Sequence, residues 1–184
     1  MEPGSFGPGD LAAGPWKRVV VAVDPAVSCG EDSDETGICV VALGIDEHCY
    51  VLDDRSGRYS PSDWGRLVVS LYHSWHADRV IAEANNGGDL VQQLLRQFEP
   101  YLPERKVHAS HSKLTRAEPV SALYEQGRVH HVGVFPELEE QMTTFTPDID
   151  RATQGSPDWD ALVWAILELV IRHRPKRAAS WRVA

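Results

Sequence analysis

Three carboxylates stand where a charge is costly unless something pairs with it. Asp24 closes the β-branched run "RVVVAVD", Glu83 closes "DRVIAE", and Asp160 lies in the first turns of "SPDWDALVWAILELVIRH". Asp24 can alternatively open a turn before Pro25, and Glu83 can take a hydrogen bond from a neighbouring loop. A carboxylate ending a core strand nevertheless calls for a defined partner. Asp160 shares a helical stripe with Trp164 and Leu167, so it turns with large apolar side chains toward a sheet. Asp158, at the second helical position, is explained by the helix dipole alone. Residues at i and i+2 do not share a helix face, which leaves a joint role for Asp158 and Asp160 in doubt.

If Asp24, Glu83 and Asp160 converge, their repulsion raises their pKa values unless a cation neutralises them. Oxygen ligands with no nearby cysteine or well-spaced histidine favour Mg²⁺ or Mn²⁺ over zinc. Two such ions about 4 Å apart activate a water and stabilise the leaving oxygen of a phosphodiester. The chemistry suggested is therefore phosphodiester hydrolysis, with Asp24, Glu83 and Asp160 as catalytic metal ligands and Asp158 as a possible fourth. Lys113 and Arg116, read as preceding a helix, either steer a DNA backbone or are solvated surface charges. Asn85, Asn86, Gly87 and Gly88 lie between strand and helix, where backbone N–H groups can receive a phosphate or simply make a tight turn. The pairs His73/His76, His108/His111 and His130/His131 complete no zinc constellation and are read as surface or packing residues. Cys29, Cys39 and Cys49 form neither a CxxC pair nor an even count, so a disulfide framework is not indicated and a reducing cytoplasm is the default.

The elements that must position these groups follow from periodicity. "RVVVAVD", "TGICVVALG" and "CYVLDDR" read as three consecutive strands, the last two joined by a short hairpin connection. "SPSDWGRLVVSLYHSWH" spaces its apolar residues as an amphipathic helix, and "DRVIAE", "GDLVQQLLRQF" and "RKVHAS" continue as strand, helix and strand. "TRAEPVSALYEQG", closed by Gly127, and "PELEEQMTTF" are further helices; the last begins with Ser156 as N-cap and Pro157 at its first position. A meander followed by alternating helices and strands predicts an α/β layer fold with a mixed sheet of five or six strands. With the first and fourth strands as parallel neighbours, Asp24 and Glu83 emerge at one sheet edge. No GxGxxG follows the first strand, which disfavours the dinucleotide-binding fold.

The chain has 184 residues, 42% of them hydrophobic, which suits one domain. We read residues 1–17 as a Gly- and Pro-rich arm or linker, 18–174 as the domain and 175–184 as a basic tail. The net charge of −9 makes the surface repel nucleic acid except where cations cluster or metals bind. The densest cluster is "RHRPKRAASWR", with Arg172, Arg174, Lys176 and Arg177, either a DNA contact or a solubilising terminus. No apolar run reaches the roughly 18 residues of a membrane span.

At four places the sequence resembles the nuclease domain of large terminase subunits from tailed double-stranded DNA bacteriophages. These are "VAVDPAV" with "DETGICVVALG"; "VIAEANNGGDLV"; "SKLTRAEPVSALYEQGRVHHVG" with "FPELEEQM"; and "GSPDWDALVWAI". The resemblance, from about Arg18 to Ile171, implies an RNase H-like fold and matches the family's Asp, Glu and Asp metal ligands to Asp24, Glu83 and Asp160. It further implies cleavage of concatemeric viral double-stranded DNA during packaging, in the host cytoplasm, beside a small terminase subunit and a portal. A complete large subunit also carries an ATPase domain, and the chain contains no GxxxxGKS or GxxxxGKT phosphate loop, so it reads as an isolated nuclease half. Many relatives space the last two aspartates as DxxD, whereas "DWD" stands here. A Holliday-junction resolvase of the same fold and a catalytically inactive docking module are the alternatives.

Overall fold

The computed structural model describes residues 14–26, 35–84, 88–110, 112–144 and 157–171. The order of elements is β1 (Trp16–Asp24), β2 (Gly37–Gly44), β3 (Cys49–Asp54), α1 (Pro61–Ser74), β4 (Arg79–Glu83), α2 (Gly88–Phe98), β5 (Glu104–Val107), α3 (Lys113–Glu125), β6 (Val129–His131), α4 (Pro136–Thr144) and α5 (Pro157–Ile166). A wider π-helical turn, Leu167–Ile171, continues α5.

Among the described residues one six-stranded sheet runs in the order β5-β4-β1-β2-β3-β6. The joins β1/β2 and β2/β3 are antiparallel, while β1/β4, β4/β5 and β3/β6 are parallel, so the sheet is mixed as the meander predicts. The sixth strand, not individually read from the sequence, is only three residues long and pairs at the β3 edge. β1 starts at Trp16, two residues earlier than the run beginning at Arg18. A register shift between Trp16 and Arg18 lets Trp16 pair with Gly44, and its ring packs 5.1 Å from that of Tyr50.

The central strands are apolar on both faces because helices cover both. Val20, Ala22, Cys39, Val41 and Ile81 pack under α5, α3 and α4, whose Leu162, Ile166, Val120 and Leu138 are buried there. Val19, Val21, Val23, Val40 and Ala82 face α1 and α2, meeting Trp64, Val68 and Leu95. α5 is buried nearly all round, from Asp158 to Ile166. That is why its sequence reads as an almost continuous apolar run rather than a stripe.

Two helix starts decide the site. α3 begins at Lys113, with the Ser112 hydroxyl accepting from the Thr115 N–H at 3.2 Å, so Lys113 and Arg116 lie within its first turn and not before the helix. α5 begins at Pro157 as read; Ser156 lies outside the described residues.

Candidate active site

Parallel pairing of β1 with β4 sets Val23 beside Ala82, so Asp24 and Glu83 leave the sheet side by side at the carboxyl ends of their strands. Alternation along each strand turns both toward the face covered by α5. The Trp164 indole N–H donates to Glu83 Oε2 at 2.5 Å, tying the end of β4 to α5. Asp160, one helical turn before Trp164, reaches the same place.

The cations here are the two residues read as DNA-steering or solvated. Lys113 Nζ lies 2.6 Å from Asp160 Oδ2, with only 10% and 11% of the two side chains exposed, so neither is a surface charge. Arg116 spans the site, its Nη1 3.6 Å from Glu83 Oε2 and its Nη2 3.5 Å from Asp160 Oδ1. Its guanidinium lies over the Trp164 ring, 4.7 Å from the centroid. Two cations in a first turn oppose the helix dipole, so the carboxylates, not the helix, account for their position.

Burial is the main reason the Asp24 carboxyl stands well above the usual carboxylate range; the charges of Glu83 and then Asp160 add to it, while Lys113 and Arg116 oppose it. Asp160 Oδ1 has no hydrogen-bond partner, and neither do the buried Nε and Nη1 of Arg116. Asp160 Oδ1 and Arg116 Nη1 thus make ion pairs longer than a hydrogen bond, at 3.5 and 3.6 Å.

Asp158 is a different case. It is 2% exposed, so the helix dipole at a solvated helix end does not account for it. Its Oδ2 accepts from Gln141 Nε2 at 2.9 Å. Burial first, then the charge of Asp54, push its carboxyl up to about 7, with Ser56 pulling the other way. Asp54 lies on this side because β3 slips register between Val40 and Val41, which sets it opposite Cys39; the Ser56 hydroxyl donates to it at 2.6 Å. The two aspartates of "DWD" therefore serve different neighbourhoods, Asp160 with Glu83 and the α3 cations, Asp158 with β3 and α4.

As they stand, no three His, Cys, Asp or Glu side chains among the described residues form one metal coordination sphere. Lys113 and Arg116 instead supply the positive charge among the carboxylates. The donor set of Asp24, Glu83 and Asp160 is oxygen-only and self-repelling, and Asp160 Oδ1 has a cation 3.5 Å away but no hydrogen bond, so the donor chemistry fits a hard divalent cation.

Of the remaining sequence candidates, Asn85, Asn86, Gly87, Arg172, Arg174, Lys176 and Arg177 lie outside the described residues, as do Cys29 and His111. Gly88 opens α2. His73 pairs with Glu99 at 3.1 Å on the surface, whereas His130 contacts His48 at 2.8 Å and His131 meets Tyr124 and Glu139 as part-buried residues. Cys39 and Cys49 are free thiols. Sequence reasoning missed Trp164 as the donor to Glu83 and the pairing of Lys113 and Arg116 with the acids. Their i, i+3 spacing was the available signal for a common helix face.

Residues 21–169 match the family model described as the terminase RNaseH-like domain. Among solved structures, the large terminase nuclease from thermophilic phage G20c is similar with a TM-score of 0.60 at 14% identity, over 80% of each chain. A variant nuclease domain of the large terminase subunit of bacterial virus Sf6, solved with manganese, gives 0.58 at 14% identity over 85% of this chain and 90% of that one. The yeast mitochondrial Holliday junction resolvase gives 0.53 at 11% identity over 84% and 80%. At such identities these likenesses establish a common RNase H-like fold. A comparison with curated proteins finds no significant match.

Proposed function

The chain belongs to the terminase RNase H-like domain family, and from that premise we propose that it is a metal-dependent endonuclease that hydrolyses double-stranded viral DNA during genome packaging, with little sequence preference. The observation that carries this reading is the meeting of Asp24, Glu83 and Asp160 at one end of the sheet, with buried cations among them. Asp24, Glu83 and Asp160 would hold Mg²⁺ or Mn²⁺, two ions in this reading, which supply an activated water and charge stabilisation when bound.

The chain's own groups do the rest. Trp164 fixes the Glu83 carboxylate from behind, so one oxygen is oriented before any substrate arrives. Lys113 and Arg116 keep the acids compensated without a divalent ion. Arg116 reaches both Glu83 and Asp160, and the Trp164 ring holds its guanidinium plane in place. Lys113, Arg116 and the tail residues Arg172, Arg174, Lys176 and Arg177 are accordingly proposed as DNA contacts, with Asp158 a supporting residue outside the ligand set. The ATPase domain, small subunit and portal are the proposed partners, in the host cytoplasm. Among the described residues no helix is long and apolar enough to cross a membrane.

Incubation with supercoiled plasmid tests this. Nicking and linearisation should appear with Mg²⁺ or Mn²⁺ and vanish with chelator; cleavage undiminished by chelator removes the metal mechanism. Likeness to the yeast resolvase supports a second reading, cleavage of branched DNA. A clear preference for a four-way junction over linear duplex would favour it. Failure to bind any divalent ion would leave a docking module.

A further inference from the structure

A second charged cluster lies outside the carboxylate site. Glu168, in the π-helical turn after α5, is 3% exposed, and three arginines converge on it. Arg18 Nη2 lies 3.6 Å and Arg79 Nη1 3.2 Å from Oε1, and Arg105 Nη1 lies 2.9 Å from Oε2. A buried carboxylate needs a counterion, but one arginine would serve. Three cations meet one anion, and among the described residues no second carboxylate forms an ion pair with any of the three, although the Asp78 carboxylate accepts from the nearby Val19 N–H at 2.8 Å; the arginines carry more positive charge than Glu168 offsets. In a molecule of net charge −9 this is a pronounced local reversal.

The three arginines are not equivalent. Arg18 is 12% exposed and lies beneath, whereas Arg79 and Arg105 keep 36% and 39% of their side chains in solvent. Each of the latter two gives a single Nη1 hydrogen bond to Glu168 out of five guanidinium N–H groups. Glu168 therefore pins the guanidinium planes without quenching them. Pinned forks lose less side-chain freedom when they take a ligand. The ligand that fits is an oxyanion with several acceptor oxygens held at a surface.

We propose that Arg79 and Arg105, seated on Glu168 with Arg18 beneath, form a second phosphate-binding site that holds the DNA backbone beside the carboxylate site. The proposal rests on the reading of the chain as a DNA-cutting enzyme. Placement favours a nucleic-acid backbone. Arg79 begins β4, the strand that ends in Glu83, and Arg105 pairs with Ile81 on edge strand β5. Both side chains share the α5 face with the catalytic carboxylates. At about 3.3 Å per residue, Ile81 and Arg79 lie roughly 7 and 13 Å back along β4 from Glu83. Phosphates of one strand recur about every 3.4 Å along the duplex axis, so this span is roughly two to four nucleotides from the bond cut.

The test is fluorescence anisotropy with a labelled linear duplex in Ca²⁺ buffer over a salt series. It compares the unaltered chain with the double substitution Arg79→Gln and Arg105→Gln, which leaves Arg18 to pair Glu168. The double variant should bind at least about ten-fold more weakly, with the slope of log K against log salt smaller in magnitude by about 2. Equal affinity and slope would return the arginines to holding Glu168 or docking an acidic protein, and would overturn the proposal. Should the double variant fail to fold, Arg105→Gln alone should lower the slope by about 1, and an unchanged slope there is equally decisive. Metal-dependent plasmid nicking by the unaltered chain is scored separately. Its absence alongside arginine-dependent DNA binding would condemn the nuclease reading and leave this site standing.

Discussion

Lys113 and Asp160 form a nearly buried pair at 2.6 Å, in the place where the nuclease reading puts a divalent ion. Removing one partner of such a pair leaves an uncompensated charge, at a cost of about 3–5 kcal/mol. Lys113→Met should therefore lower the melting temperature strongly in chelator, and Mn²⁺ should restore most of that loss. Equal losses with and without Mn²⁺, read by thermal denaturation, would show that no cation takes the lysine's place. The "DWD" pair supplies a second prediction. Asp160→Asn should lose nearly all plasmid cleavage, because it removes the charge facing Glu83, while Asp158→Asn should keep most of it. Asp158 acts on stability instead. Its folded pKa of about 7 lies above the unfolded value of roughly 3.9, so its contribution is full below about pH 4, declines as pH rises to about 7 and is flat beyond. Asp158→Asn should accordingly stabilise at pH 8, by on the order of a few kcal/mol, and progressively less toward pH 4. A stability gain independent of pH would contradict this.

α3 is the element on which site electrostatics and local structure conflict. Its first turn carries Lys113 and Arg116 and no acidic residue, the unfavourable arrangement for the dipole, so the Ser112 cap matters more than usual. Ser112→Ala should cost about 1 kcal/mol and also reduce cleavage, because the turn it anchors carries both site cations. The other end offers a control. Gly127 adopts φ +65 after the helix, with nothing within 4 Å of an added Cβ, so Gly127→Ala meets backbone strain alone. It should cost about 1 kcal/mol and leave cleavage near normal. Urea denaturation with plasmid cleavage separates the two ends. Equal effects of both variants on cleavage would mean that the first turn has no special role.

At the scale of the molecule, an ion that binds only the folded chain stabilises it by mass action. Because burial, and after it the like charges of Glu83 and Asp160, hold the Asp24 carboxyl above its ordinary range, protons compete with the ion as pH falls. The rise in melting temperature on adding Mn²⁺ should therefore be larger at pH 8 than at pH 5.5, and a rise independent of pH would exclude the raised Asp24 from the binding set. The net charge of −9 confines DNA affinity to local cations. Among the described residues two such places stand out, the nearly buried Lys113 and Arg116 inside the site and the part-exposed Arg79 and Arg105 beside it. Both lie on the α5 face, so the proposed nuclease function would use one face of the sheet and leave the α1/α2 face to stability.

The sequence by itself determined the order of elements apart from the three-residue β6, the mixed sheet and the placing of Asp24 and Glu83 at strand ends, because strand period, helix period and caps are local properties of the chain. It put a joint role for Asp158 and Asp160 in doubt, since residues two apart on a helix do not share a face, and left Asp158 a possible ligand. The tertiary structure alone decided what each charge meets. Asp158 finds Asp54 because a register slip in β3 re-aims that residue, and Glu168 finds Arg18, Arg79 and Arg105 because three strands lie side by side. Lys113 and Arg116, read as surface cations, turn inward because α3 lies where the carboxylates' repulsion requires compensation. Pairings of this kind join residues tens of positions apart, and their energies depend on burial and distance, which no local pattern in the chain encodes.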